Sequence, residues 1–275
     1  MSLPYYQVDA FTSSLFSGNP AGVCLLTDWL PDTVLQSIAA ENNLAETAFI
    51  VPRGPYFDLR WFTPVLEMDL CGHATLAAAH VLFCHLGFRQ SEVKFQTCSG
   101  ILTVRRQDKI LTLDFPSRPA AVCPPPADLI KGLGCTPIFT AKSRDYLAVL
   151  ETEQAVRELQ PDLAALQQLD CLGIIITAAG QQCDFVSRFF APRAGVAEDP
   201  VTGSAHCTLI PYWAGRSGRS QLRALQVSRR GGELFCEYRG DRGPRHNVFG
   251  GFSARAVRTS LRSRVNGRLT GNLSQ

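Results

Sequence analysis

One pattern is written twice in this chain, about 130 residues apart. The first copy, RWFTPVLEMDLCGHATLAAAH, runs from Arg60 to His80; the second, RFFAPRAGVAEDPVTGSAHCTL, runs from Arg188 to Leu209. Each reads as a strand stopped by proline, an acidic loop, and a helix whose first turn carries glycine and no bulky side chain. Pro64 and Pro192 stop the strands because proline cannot donate to a ladder. Gly72 and Gly203 let the backbone approach a ligand closely, and the unpaired amides of the helix starts form an anion site. A chain built from two such units is expected to fold as two pseudo-symmetric α+β halves facing each other across a cleft. Each half should be a curled, mostly antiparallel sheet around one buried central helix.

Composition narrows the class. A length of 275 residues suits one large or two ordinary domains, and 45% hydrophobic with 19% charged residues is globular. No run approaches about 18 apolar residues, so no membrane span is expected. The start, MSLPYYQVDAF, has neither a basic n-region nor a long apolar h-region, so no signal peptide is expected. The ten cysteines form no Cys-x-x-Cys pair, and their spacing fits neither a zinc site nor a disulfide framework. Scattered thiols without an export signal point to a cytoplasmic protein, with most thiols buried as small hydrophobes.

The net charge of +3 conceals an asymmetry. Residues 1–215 carry 14 Lys and Arg against 21 Asp and Glu, a balance of −7, whereas residues 216–275 carry 13 Arg against 3 acids, a balance of +10. No aromatic interleaving or nucleic-acid motif accompanies the arginines, so a nucleic-acid partner is not expected and a solvated tail over 263–275 is.

The element pattern divides at prolines. Residues 1–115 read as the first half, with strands at Tyr6–Phe11, Val23–Leu26, Thr47–Val51, Tyr56–Phe62, Val93–Thr97, Ile101–Arg105 and Ile110–Phe115. Helices follow Pro31-Asp32 and run from His73 to about Cys84, with Gly87 as the stop. The proline-dense segment 116–137 reads as a linker without helix or central strand. Residues 138–262 read as the second half, with strands near Tyr146–Leu150, Ile174–Thr177 and Asp184–Phe190. Helices are expected near 152–159 and 161–168, and from Ser204 to about Trp213. Pro211 removes the helix bond to the carbonyl of Cys207, which predicts a kink.

Few residues are placed for chemistry. Glu46, in NNLAETAFIV, stands between a polar turn and an apolar strand. A carboxylate there is costly unless paired or protonated, which would suit proton transfer near neutral pH; it could equally cap the turn at the strand edge. His73 begins a helix, where the dipole disfavours a cation, so a neutral imidazole able to relay a proton is expected, or else a satisfied core histidine. Asp199 either caps the second helix or faces the cleft. Ser204 either binds a ligand or caps the same turn. Gly72-His73 and Gly203-Ser204 together offer two amide clusters for a carboxylate or a developing oxyanion. Cys71 could serve as an acid/base beside Gly72, but its counterpart around Asp199-Pro200 has no thiol, which argues against a two-thiol epimerase. Phosphate-loop, zinc-protease and nucleophile-elbow motifs are absent, and GNPAG and GGEL read as glycine turns.

The segments AFTSSLFSGNPAGVCLL, NNLAETAFIV, RWFTPVLEMDLCGHATLAAAHVLF and SRFFAPRAGVAEDPVTGSAHCTLIPYW resemble the PhzF-like family, named for phenazine biosynthesis, over roughly residues 4–235. The resemblance implies the diaminopimelate epimerase-like fold. It also implies a proton-moving glutamate at Glu46, pocket residues at His73, Asp199 and Ser204, no metal or organic cofactor, and a homodimer. The chain departs from the family at its end, where Gly250-Gly251 is kept but arginines intrude and 261–275 is basic and polar.

The function expected is a cofactor-independent isomerase that moves a proton between carbons of a small carboxylated metabolite, with Glu46 as acid/base. Gly72, His73, Asp199, Gly203 and Ser204 would bind the substrate. A racemase or epimerase on the same fold, or a non-catalytic scaffold, are the alternatives. The enzyme readings require the helix starts at His73 and Ser204 to converge. Starts more than about 15 Å apart could not share one small ligand, since an α-helix is itself only about 10–12 Å across.

Overall fold

The computed structural model describes residues 3–14, 16–108, 110–239 and 247–253. The basic tail at 263–275, and the part of the second half from 254 to 262, lie outside the described residues. The strands form one continuous ladder that repeats itself. In the first half the order is Tyr5–Ala10, Asn19–Leu25, Glu46–Arg53, Tyr56–Phe62, Glu92–Thr97, Gly100–Gln107 and Ile110–Pro116. Successive pairings are antiparallel, parallel, antiparallel, parallel, antiparallel and antiparallel. In the second half Phe139–Lys142, Tyr146–Val149, Ile174–Ala179, Phe185–Ala191, Gln221–Gln226, Gly232–Tyr238 and Asn247–Ser253 repeat that sequence of pairings. The halves join where Ile110–Pro116 pairs antiparallel with Asn247–Ser253, from Asn247 opposite Pro116 to Ser253 opposite Ile110. Duplication thus extends from the two motifs to the whole ladder, with two curled sheets sharing one seam.

Each sheet wraps a central helix at the place the repeat predicts. The first, Gly72–His85, is buried from Gly72 through Phe83, as an all-apolar helix surface requires. The second, Gly203–Ser217, keeps Gly203, Ala205 through Ile210, Trp213 and Ala214 inside and emerges only at its C-terminal end. The outer sheet faces are covered by Asp32–Asn42 in the first half and by Ala127–Leu133, Glu153–Glu158 and Leu163–Leu166 in the second, each over its own apolar cluster.

Three expectations are corrected. The proline-dense segment does contain regular structure, a short strand Ala121–Val122 and the helix Ala127–Leu133. That helix begins directly after Pro126, where proline costs nothing because the first amides of a helix lack partners anyway. The second central helix does not end near Trp213 but continues through Pro211 to Ser217 and closes on Gly218 in the left-handed conformation. The carbonyl of Cys207 that Pro211 frees accepts instead from the backbone N–H of Arg118 at 2.8 Å, which pins the inter-half segment to the helix. Finally, only Cys24, Cys71, Cys207 and Cys236 are buried; the others are exposed or intermediate, and all ten are free.

The two helix starts touch. A Cβ added to Gly72 would lie 3.8 Å from the Cα of Gly203, and one added to Gly203 would lie 3.8 Å from the Cα of Gly72. The Phe115 ring closes the seam beneath them, 2.9 Å from the Cβ that Gly72 lacks. Gly72→Ala is therefore expected to push Phe115 aside and lower stability by about 1–3 kcal/mol, the usual cost of overpacking. Thermal denaturation would measure this, and an unchanged midpoint would mean that the seam has slack.

Candidate active site

The acidic loops of the two motifs are folded by their own first residues. Arg60 forks onto Glu67 at 2.6 Å and 2.7 Å. In the second copy Arg188 forks onto Glu198 at 2.7 Å and 3.1 Å, and donates to the carbonyl of Leu159. Bidentate guanidinium–carboxylate pairs fix orientation as well as distance, so each loop is set relative to its strand before it enters its helix. The loop held by Glu198 delivers Asp199 to the seam.

Glu46 opens the strand Glu46–Arg53 and turns toward the first helix start. Its Oε2 lies 3.1 Å from Nε2 of His73, close enough to pair charge without the alignment of a formed hydrogen bond. The Glu46 side chain is 16% exposed, so the carboxylate faces the protein rather than open solvent. On the other side of the imidazole, Nδ1 lies 3.6 Å from Sγ of Cys71 and 3.4 Å from Nδ2 of Asn19. Asn19 has already committed both amide hydrogens, to Oδ1 of Asp199 at 2.8 Å and to the carbonyl of Val201 at 2.9 Å. It therefore ties the second half's loop to the first half's strand Asn19–Leu25, beside the histidine.

Asp199 does not cap the second helix. The N-cap position is Thr202, whose side chain donates to Oδ2 of Asp199 instead of capping. Gln226 holds the same loop from the sheet, accepting from the Thr202 amide and donating to the Asp199 carbonyl, both at 2.8 Å. Aligning the two helix starts pairs Gly72 with Gly203, His73 with Ser204 and Cys71 with Thr202. The counterpart of Cys71 is thus Thr202 rather than the Asp199-Pro200 pair, and it is still not a thiol. The Ser204 hydroxyl caps nothing; it accepts from Nη2 of Arg144 at 3.1 Å.

Electrostatics correct one expectation. Burial alone would lower the basicity of His73, as would a helix N-terminus. The adjacent charge outweighs both and raises its pKa well above the ordinary histidine value. Burial, and then the Glu46 charge, push the Cys71 thiol up, against the pull of His73. The causes that raise His73 are Cys71 first and the Glu46 charge second. Asp199 is pushed up to about 6, first by burial and then by Glu46, against the pull of His73 and the bonds from Thr202 and Asn19.

A carboxyl whose folded-state pKa is raised adds stability in full below its unfolded value near 3.8 and loses it as pH rises through about 6. Asp199→Asn should therefore flatten the stability–pH curve between about pH 4 and 6. Denaturant unfolding across that range measures it, and a slope equal to wild type would refute the assignment.

The ligand atoms of Glu46, Cys71 and His73 lie within 4.8 Å of one another, a spacing that could accept a thiophilic cation. The raised thiol and two converging positive helix ends oppose that use. The cluster is better suited to moving protons. Sequence reasoning reached Glu46, Gly72, His73, Asp199, Gly203 and Ser204, and the fold gathers them at one seam. It missed Asn19, read only as part of a glycine turn, and also Thr202, Gln226 and Arg144. A buried asparagine before Pro20 carried a faint signal; the others carried none.

Comparison with known proteins places the chain in a family. The profile of the family described as phenazine biosynthesis-like protein matches residues 8–251. An uncharacterized isomerase of Pseudomonas aeruginosa is 53% identical over 243 residues, covering 88% of this chain and 93% of that protein. The human phenazine biosynthesis-like domain-containing protein is 42% identical over 269 residues with the same coverage. The crystal structure of a PhzF-family phenazine biosynthesis protein of Enterococcus faecalis superposes with a TM-score of 0.88 at 46% identity, covering 93% of this chain and 97% of that one. A probable proline racemase from Agrobacterium radiobacter, 10% identical with a TM-score of 0.61 over 94% of this chain and 93% of that one, shares the fold alone.

Proposed function

Because the chain belongs to the phenazine biosynthesis-like family, whose relatives here are named isomerases, we propose that it moves a proton between two carbons of a small, unsaturated or cyclic carboxylate. Glu46 is the acid/base. Its carboxylate takes a proton from a carbon made acidic by conjugation, and the bonding electrons shift into the conjugated system toward the substrate carboxylate. The Glu46 carboxylic acid then returns the proton to a different carbon. The amides at Gly72-His73 and Gly203-Ser204 hold the charge that develops on oxygen, each helix end contributing about half a positive charge. His73 as a cation orients Glu46, and Asp199 faces the same cleft from the other half. No step calls for a metal or organic cofactor. A homodimer in the cytoplasm belongs to the same reading; among the described residues no helix is long and apolar enough to cross a membrane.

The observation that carries the proposal is the 3.1 Å approach of Glu46 to His73, beside two helix starts in contact. A scaffold has no use for a carboxylate turned inward at that point. The racemase alternative rests on one contact, Cys71 to Nδ1 of His73, which would make the thiol a second proton carrier. Incubation in deuterium oxide with candidate cyclohexadiene carboxylates and amino acids separates the two. A shifted double bond with deuterium at the new carbon is the expected result. Exchange at Cα with loss of optical activity, and no shifted bond, would replace it with racemisation.

A further inference from the structure

Beside the seam, on the second half's side, two arginines reach the second central helix, and one of them forms no ion pair among the described residues. Pro211 frees the carbonyl of Cys207, and the backbone N–H of Arg118 takes it at 2.8 Å, while the carbonyl of Arg118 accepts from Oγ1 of Thr208 at 3.0 Å. Two bonds thus lock Arg118 along the helix face that carries Ser204, Cys207 and Thr208, residues spaced i, i+3, i+4. Arg144 reaches the same face and donates to Oγ of Ser204 at 3.1 Å. The two arginines differ in one respect. Arg144 is matched by Asp145, 2% exposed and 2.8 Å away. Arg118 forms no ion pair among the described residues, and its Nη1 is buried without a hydrogen-bond partner. The adjacent Ser117 Oγ is likewise buried and unpartnered. These residues follow within three positions of Phe115, the ring packed against both helix starts.

Buried donors left unsatisfied are costly, and more so when charged. A guanidinium with no ion pair among the described residues, next to a helix start that is itself positive, is a site whose missing component is an anion. The amides at the seam already suit the carboxylate that takes up charge during proton transfer. We infer that Arg118, with Ser117, Arg144 and Ser204, binds a second carboxylate, so that the substrate of this chain is a dicarboxylate whose far acid group lies against the second central helix. This rests on the isomerase reading for the location of the first carboxylate. It adds the substrate's charge and its direction in the cleft, with the reacting carbons toward Glu46 and the second acid toward Arg118.

The test compares benzoate with isophthalate, a probe with a second carboxylate across the ring, by isothermal titration calorimetry on the full chain. Wild type is expected to bind isophthalate about 10- to 100-fold more tightly, the range for a charged hydrogen bond. R118M should bring isophthalate down to the affinity of benzoate while benzoate binding persists, which also shows that the variant is folded; its backbone bonds to Cys207 and Thr208 do not involve the altered side chain. R118K should restore part of the preference, as a charge role predicts and a packing role does not. E46Q should keep the preference intact, so loss of turnover in E46Q and loss of preference in R118M report on separate claims. No preference in wild type, a preference that survives R118M, or loss of benzoate together with isophthalate in R118M would each overturn the inference.

Discussion

Glu46→Gln is expected to reduce turnover of an identified substrate by about 10²- to 10⁴-fold, the contribution typical of a positioned general acid/base. The substitution keeps the shape and removes the exchangeable proton. Substrate affinity should change much less, because the amide clusters and the arginines lie on other groups. Charge should respond as well, since the Glu46 carboxylate is, after Cys71, a cause that raises His73 against burial. In the variant the His73 resonance, followed by NMR titration, is expected to move to lower pKa. Turnover within a few-fold of wild type would remove Glu46 from the mechanism, whatever the histidine does.

Asn19→Leu should produce the largest loss of stability at the site. Asn19 is fully buried, and its two amide hydrogens serve Oδ1 of Asp199 and the carbonyl of Val201 in the opposite half. Leucine matches its shape but leaves both acceptors without a donor, at about 1–3 kcal/mol each, so a loss of about 2–6 kcal/mol is expected. The neighbourhood offers no replacement. Gly18 accepts from Arg230 and donates to the Gly231 carbonyl, and Arg230 is paired with Asp9 at 2.9 Å, so this strand end cannot shift to compensate. The bond from Asn19 also favours ionised Asp199; without it the Asp199 pKa should rise further above about 6, and an acidic limb in the pH–rate profile should move upward with it. Calorimetric unfolding and the pH–rate profile measure the two effects. A variant with unchanged melting and an unmoved limb would show that this asparagine does not couple the halves.

The basic C-terminal region illustrates how a correct count can mislead about use. Thirteen arginines follow residue 215. Among the described residues Arg219, Arg223 and Arg239 pair with Asp184, Glu233 and Glu237, and Arg230 reaches Asp9 in the first half. The excess over residues 216–239 is largely spent on the fold. A charge balance sums over the sequence, whereas pairing depends on strand register.

Sequence alone determined the duplicated architecture and pointed to the residues of the candidate site. Periodicity separates strands from helices because side chains alternate in one and recur every third or fourth residue in the other. Proline and glycine mark strand ends and helix starts through constraints confined to their own backbone, so Pro64, Pro192, Gly72 and Gly203 could be read without coordinates. The strand Gln221–Gln226 follows the same rule, since QLRALQ alternates exposed and buried. Tertiary structure decided what local pattern cannot encode. His73 meets Glu46 at 3.1 Å, although Glu46 stands 27 positions earlier in the chain. Asp199 is held at the seam because Asn19 and Gln226 bond it and Arg188 fixes the neighbouring Glu198, from three separate strands. Arg118 stands beside Cys207 because Pro211 left one carbonyl free. In each case the decisive partner is distant in sequence, and electrostatic or hydrogen-bond energy depends on separation in space, which only the packed ladder sets.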